Sequence, residues 1–297
     1  MSQTYSFHTL DVFTEQIFGG NPLAVFPEAQ GLNTQKMQAI AKELNLSETV
    51  FVLPPEQADC DFKLRIFTPL AEIPFAGHPT VGTAYLLAHL ELIETGAALT
   101  NFKEGIGKVP VSLQWKDGKI QNTFLQAAQL PEFDIVPNIN MAKLLGLNSE
   151  DIHADSTAEV ISCGLPFLYI CLKNIDAVDR SLLNTELWKS IAESTAANVY
   201  ILAIAPNDHH IYARMFAPAL GISEDPATGS AATSLAGYLN KYFPSDTAQE
   251  IWQIQQGFEM GRPSQLSLTL NREKGRLKSI QVGGASVLVS QGQMRVA

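Results

Sequence analysis

The chain has 297 residues, 46% hydrophobic and 17% charged, enough apolar material for about two packed domains and far from the composition of a disordered chain. Its formal net charge of -10 argues against nucleic acid or anionic lipid as partners, because such a surface repels both. No apolar run reaches the ~18 residues of a membrane span, and the first residues carry no signal-peptide pattern, so the expected location is the cytosol.

In chain order, residues 6–13 read as a strand, followed by the glycine-rich turn Gly19-Gly20-Asn21-Pro22 and a second strand over 23–26. Leu32-Asn33-Thr34 opens a helix predicted over 34–44. Strands follow over 49–53 and 61–68. In the latter, Phe62, Leu64 and Ile66 alternate with Lys63, Arg65 and Phe67, which puts one face on a core. Glu48 stands just before the apolar strand. A carboxyl there is either a solvated loop acid or a desolvated one, with its pKa raised far enough to shuttle a proton. The helix that begins at Pro79 is apolar nearly all round (Val81, Ala84, Leu86, Leu87, Leu90) and should be buried within its domain. Lys116-Asp117-Gly118-Lys119 reads as a hairpin turn, and residues 126–138 as an interdomain connection.

The second half repeats the first. Arg65-Ile66-Phe67-Thr68-Pro69 returns 149 residues later as Arg214-Met215-Phe216-Ala217-Pro218. His78-Pro79-Thr80-Val81-Gly82 has a counterpart in Asp225-Pro226-Ala227-Thr228-Gly229, 147 residues on. The helix opened at Leu183-Asn184-Thr185 leads to a strand at Asn198, but residues 194–197 hold no acid to match Glu48. The halves are too long for solenoid repeats and read as two homologous domains, residues 1–125 and 126–285, with residues 286–297 folding back onto the first.

His78-Pro79 and Asp225-Pro226 both suit a helix start, since Asp is a strong N-cap and Pro fits the first helical position. Free N–H groups and the dipole at two such starts would favour an anion in a cleft between the halves. The plainer reading of each is a cap alone, with Ser230 and Thr83 as small first-turn residues. Cys60, Cys163 and Cys171 are scattered and form no metal or disulfide pattern, and the common metal, NTP, dinucleotide and serine-hydrolase motifs are missing.

At Gly19 to Pro22, Asn45-Leu46-Ser47-Glu48-Thr49, Phe75 to Gly82, Glu224 to Ala231 and Met260 to Ser264 the chain resembles the PhzF-like family, which shares the diaminopimelate epimerase fold. The resemblance implies an α+β fold of two pseudo-symmetric domains, each a curved, mostly antiparallel, barrel-like sheet around a central helix. It implies a homodimeric isomerase without cofactor or metal, acting on a small carboxylated substrate. Glu48 would move the proton, His78, Asp225 and Ser230 would polarise the substrate or assist, and the N–H groups of Gly77 and Gly229 would hold its carboxylate. Diaminopimelate epimerases use two cysteines as acid and base, and no cysteine stands near His78 or Asp225, so a thiol-based mechanism is not supported. An amino- or hydroxy-acid epimerase and a non-catalytic metabolite-binding protein are the alternative expectations.

Overall fold

The computed structural model describes residues 3–192 and 198–296. The stretch 194–197 compared with Glu48 above lies outside the described residues. The chain divides into two compact units, residues 1–126 with 283–297, and residues 127–282. No described helix is long and apolar enough to cross a membrane.

The first unit contains β1 (Gln3–Val12), β2 (Asn21–Phe26), α1 (Thr34–Leu44), β3 (Glu48–Leu53), β4 (Phe62–Phe67), β5 (Glu72–Ile73), α2 (Gly77–His89), β6 (Leu99–Glu104), β7 (Gly107–Lys116) and β8 (Lys119–Gln126). β1 pairs antiparallel with β2 and with the last strand, β17 (Arg276–Val296). β2 runs parallel to β3, β3 antiparallel to β4, and β4 parallel to β6. β6, β7 and β8 form an antiparallel meander, and pairing of β8 with β17 closes a ring of eight strands. Closure leaves no exposed edge among these eight strands.

α2 fills the ring. It packs on β1, β2, β3, β7 and β8, and nearly all its residues are buried, as its all-round apolar sequence requires. Gly82 allows the approach: a Cβ there would lie 2.6 Å from Val12 Cγ2 and 2.7 Å from Leu23 Cδ2. α1 covers the outside, where Met37, Ile40 and Ala41 join Phe26, Phe51 and Phe67 in a second core. Asn33 caps it, its Oδ1 accepting from the Lys36 N–H at 2.9 Å, and Asn45 ends it in the left-handed region at φ 51°. The predicted hairpin is present, with Asp117 and Gly118 both at positive φ between β7 and β8.

The second unit contains β9 (Glu132–Asp134), α3 (Met141–Leu144), β10 (Glu159–Ser162), β11 (Pro166–Cys171), α4 (Ile175–Arg180), α5 (Thr185–Ala192), β12 (Asn198–Ala205), β13 (His210–Ala217), β14 (Ile222–Asp225), α6 (Gly229–Tyr242), β15 (Gln249–Gln256) and β16 (Ser264–Glu273). Its pairing repeats that of the first unit: β10–β11 antiparallel, β11–β12 parallel, β12–β13 antiparallel, β13–β15 parallel and β15–β16 antiparallel. α6 is buried along most of its length against β10, β11 and β16. The stretch read as a plain connection carries β9, which pairs with β10.

The register of the repeat differs from the sequence match. α2 starts at Gly77 and α6 at Gly229, 152 residues apart rather than 147. The same offset relates Glu72 to Glu224 and Glu104 to Gln256. Between Phe216 and Glu224 the second unit has three more residues than the first has between Phe67 and Glu72, in the connection that carries the short helical turn Pro218–Leu220. His78 is therefore equivalent to Ser230, not to Asp225. Neither His78 nor Asp225 is an N-cap: Ala76 and Thr228 hold those positions, Pro79 is the third residue of α2, and Pro226 lies outside α6. Pro79 falls inside α2 and Pro226 falls before α6, so proline does not set the start of either helix.

Candidate functional site

In the first unit, local structure sets Glu48 and His78 side by side. The left-handed Asn45 stops α1 and turns the chain into β3, whose first residue is Glu48. β3 aligns parallel with β2, so that Glu48 is registered on Leu23, next to Pro22. α2, inside the ring, carries His78 as its second residue. Oε2 of Glu48 lies 3.1 Å from Nε2 of His78, and only 8% of the His78 side chain and 14% of the Glu48 side chain are exposed. The imidazole also bonds to the Pro22 backbone through its other ring nitrogen, and burial pushes its pKa down to about 3, only partly offset by that bond.

These contacts have a chemical consequence. A neutral imidazole has one N–H, and giving it to the Pro22 backbone leaves a lone pair on Nε2. Nε2 then faces Oε2 of Glu48 at 3.1 Å, a basic nitrogen beside a carboxyl oxygen. The pair stands at the start of a buried helix. The first turn of α2 has no side-chain cap, so the N–H groups of its first turn receive no side-chain acceptor from Ala76.

In the second unit, Asp225 is the last residue of β14 and is buried. Its Oδ2 accepts the Thr228 hydroxyl at 2.5 Å. Gln256, at the end of β15, donates through Nε2 to the Asp225 carbonyl at 2.7 Å and to Thr228 Oγ1 at 3.0 Å, while its Oε1 accepts from Tyr200 at 3.3 Å. Burial and the Asp225 charge raise the Tyr200 pKa, which keeps its hydroxyl a donor. Gly229 and Ser230 are the first two residues of α6, and Thr228 makes no side-chain cap there. Ser230 is partly exposed, with its carbonyl accepting from the Ser234 hydroxyl at 3.0 Å.

Of the residues singled out by sequence, Glu48, Gly77 and His78 thus meet in the first unit, and Asp225, Gly229 and Ser230 gather at one turn of the second. Pro22, Thr228 and Gln256 were not singled out. A signal existed for Gln256: Gln256-Gly257 repeats Glu104-Gly105 at the 152-residue offset. The cysteines stand apart from both groups, and burial raises their pKa values, to about 12 for Cys163 and about 11 for Cys171.

Residues 10–292 match the family model of the phenazine biosynthesis-like proteins. A Mesorhizobium japonicum protein described as an uncharacterized isomerase is 40% identical, with 98% of this chain and 99% of that protein covered. The trans-2,3-dihydro-3-hydroxyanthranilate isomerase of Pseudomonas aeruginosa is 33% identical over 96% of this chain and 97% of its own. The crystal structure of a Bacillus anthracis phenazine biosynthesis protein of the PhzF family superposes with a TM-score of 0.88 at 26% identity, covering 98% of this chain and 99% of that one.

Proposed function

We propose, for a chain that belongs to the phenazine biosynthesis-like protein family and is an isomerase, that Glu48 removes a proton from one carbon of a small carboxylated substrate and returns it at another. The observation that carries this reading is the 3.1 Å contact between Glu48 and His78 in a nearly dry setting. A carboxylate with little water around it is a stronger base than one in bulk solvent, because burial disfavours its charge. His78 is the proton partner. Asp225 and Ser230 polarise the substrate, and the N–H groups of Gly77 and Gly229 receive its carboxylate. The reaction needs neither cofactor nor metal in this scheme, and the working form is a homodimer.

The relative from Pseudomonas aeruginosa suggests the first substrate to offer, trans-2,3-dihydro-3-hydroxyanthranilate, within a panel of small unsaturated and amino carboxylates. Proton NMR in D2O follows exchange or rearrangement in wild type and in Glu48→Gln. The expected result is turnover of at least one compound by wild type alone. Equal rates in both proteins would remove Glu48 from the mechanism. Light scattering reads the dimer separately.

A further inference from the structure

A buried carboxyl outside this scheme reaches the same helix start. Glu104 ends β6 and is 3% exposed. Its Oε1 lies 2.7 Å from Thr80 Oγ1, and that hydroxyl lies 2.8 Å from the carbonyl of Ala76, the residue before Gly77-His78. A carbonyl only accepts, so the single Thr80 proton goes to Ala76. The Glu104–Thr80 contact then needs a second proton, which only Glu104 can hold. The equivalent residue in the second unit supports this. Gln256, 152 residues on, ends β15 and donates to the Asp225 carbonyl and to Thr228 just before α6. There the work is done by an amide, which cannot ionise. The glycine after each residue sits against the proline before its helix: a Cβ on Gly105 would lie 2.7 Å from Pro74 Cα, and one on Gly257 would lie 2.6 Å from the Pro226 carbonyl oxygen.

We infer that Glu104 is a positioning residue held as a neutral carboxylic acid, which donates to Thr80, locks Ala76 through it, and so fixes the turn that presents Gly77 and His78. Burial supports this by raising the Glu104 pKa to about 8, against the lowering effect of the Thr80 bond. The ionisable groups on the neighbouring elements are Lys63 and Arg65 on β4, Lys103 on β6, Lys108 and Lys116 on β7, and His78, Tyr85 and His89 on α2, and none contributes to that shift. When Glu104 loses its proton to solvent, the carboxylate becomes an acceptor and draws the Thr80 hydrogen away from Ala76. The helix start then loosens.

The site whose start is fixed is the one proposed above, so the test reads the clamp without substrate. Infrared spectra of wild type at neutral pH should contain a protonated-carboxyl band that fades with a midpoint near pH 8 and is missing in Glu104→Gln. The amide resonances of Gly77 and His78 should shift with the same midpoint in wild type and stay flat in Glu104→Gln, whose amide can still donate to Thr80. Absence of the band in wild type at neutral pH overturns the neutral state, even if the variant fails to fold. Gly77 and His78 resonances that ignore the titration overturn the positioning role. Neither outcome depends on whether Glu48 moves a proton.

Discussion

Nε2 of His78 stands 3.1 Å from Oε2 of Glu48, with the other ring nitrogen tied to the backbone of Pro22. Burial holds the imidazole neutral, so in the proposed scheme Glu48 works as a base beside an uncharged neighbour. Glu48→Gln keeps the shape and removes the transferable proton. The loss expected for a general acid–base group is about 10²- to 10⁴-fold in the rate of solvent exchange into substrate, with an unchanged circular dichroism spectrum. A loss below tenfold would assign the chemistry elsewhere.

His78 also makes stability depend on pH. Its pKa is lowered from 6.5 to about 3, so the unfolded chain takes up a proton at this site that the folded one refuses. The stabilisation is complete above about pH 6.5 and is lost progressively as pH falls towards 3, at up to about 1.4 kcal/mol per pH unit. Denaturant unfolding at pH 7, 6, 5 and 4 measures the slope. His78→Gln should flatten one proton's worth of it, and an unchanged slope would mean that the imidazole charges freely in the folded protein.

The duplicated arginines predict a difference between the units. Arg214 donates to both carboxylate oxygens of Glu224 at 2.8 and 2.9 Å, and to the carbonyls of Val178, Asp179 and Ser181. Arg65 makes the same two-pronged contact with Glu72, but its partner is 38% exposed against 15% for Glu224. Arg214→Met strands a half-buried carboxylate and three carbonyls, a loss of about 3–5 kcal/mol. Arg65→Met breaks a solvated pair, a loss of about 1 kcal/mol at most. Equal losses in urea titrations would mean that the Arg214 contacts contribute no more than a surface pair.

The sequence was most readable where the physics is local. α1 announces its own ends, because Asn33 and Asn45 act within one turn of themselves. The hairpin at Asp117-Gly118 is likewise a two-residue decision. Burial of α2 followed from its composition alone. The site was half legible: Glu48 stood out as an acid before an apolar strand, but its contact with His78 joins residues 30 apart through the parallel register of β2 and β3. The match of His78 to Asp225 was out of register by five residues, because the Pro-Thr-Gly lettering of the two turns is similar while the strands feeding them differ in length. Gln256 and Glu104 drew no notice in the sequence, since what they bind lies 24 to 56 residues away.

Gln256 offers a test of why the second unit uses an amide. Gln256→Glu removes the donor to the Asp225 carbonyl and sets a second carboxyl beside Asp225. A like charge at that distance, in a buried setting, disfavours ionisation of both groups. The variant should be less stable than wild type by about 1–3 kcal/mol from the lost buried hydrogen bonds. The gap should widen as pH rises, because the added acid is tolerated only while protonated. A gap independent of pH would mean that the introduced carboxyl turns out to solvent.

Closure of the first ring rests on a glycine. A Cβ on Gly283 would lie 2.1 Å from the Thr123 carbonyl oxygen and 2.7 Å from Phe124 Cα, both in β8. Those atoms are backbone and cannot swing aside, so Gly283→Ala must push β17 away from β8. At Gly82 the obstacles are the side-chain tips of Val12 and Leu23, which can repack. Gly82→Ala should therefore show the about 1–3 kcal/mol typical of an overfilled core. Gly283→Ala should exceed it, because it also parts ladder hydrogen bonds of a ring that has no spare edge. Hydrogen exchange separates the two: amides of β8 lose protection in Gly283→Ala and keep it in Gly82→Ala. The reverse order would mean that the ring is held by the α2 packing rather than by the β8–β17 seam.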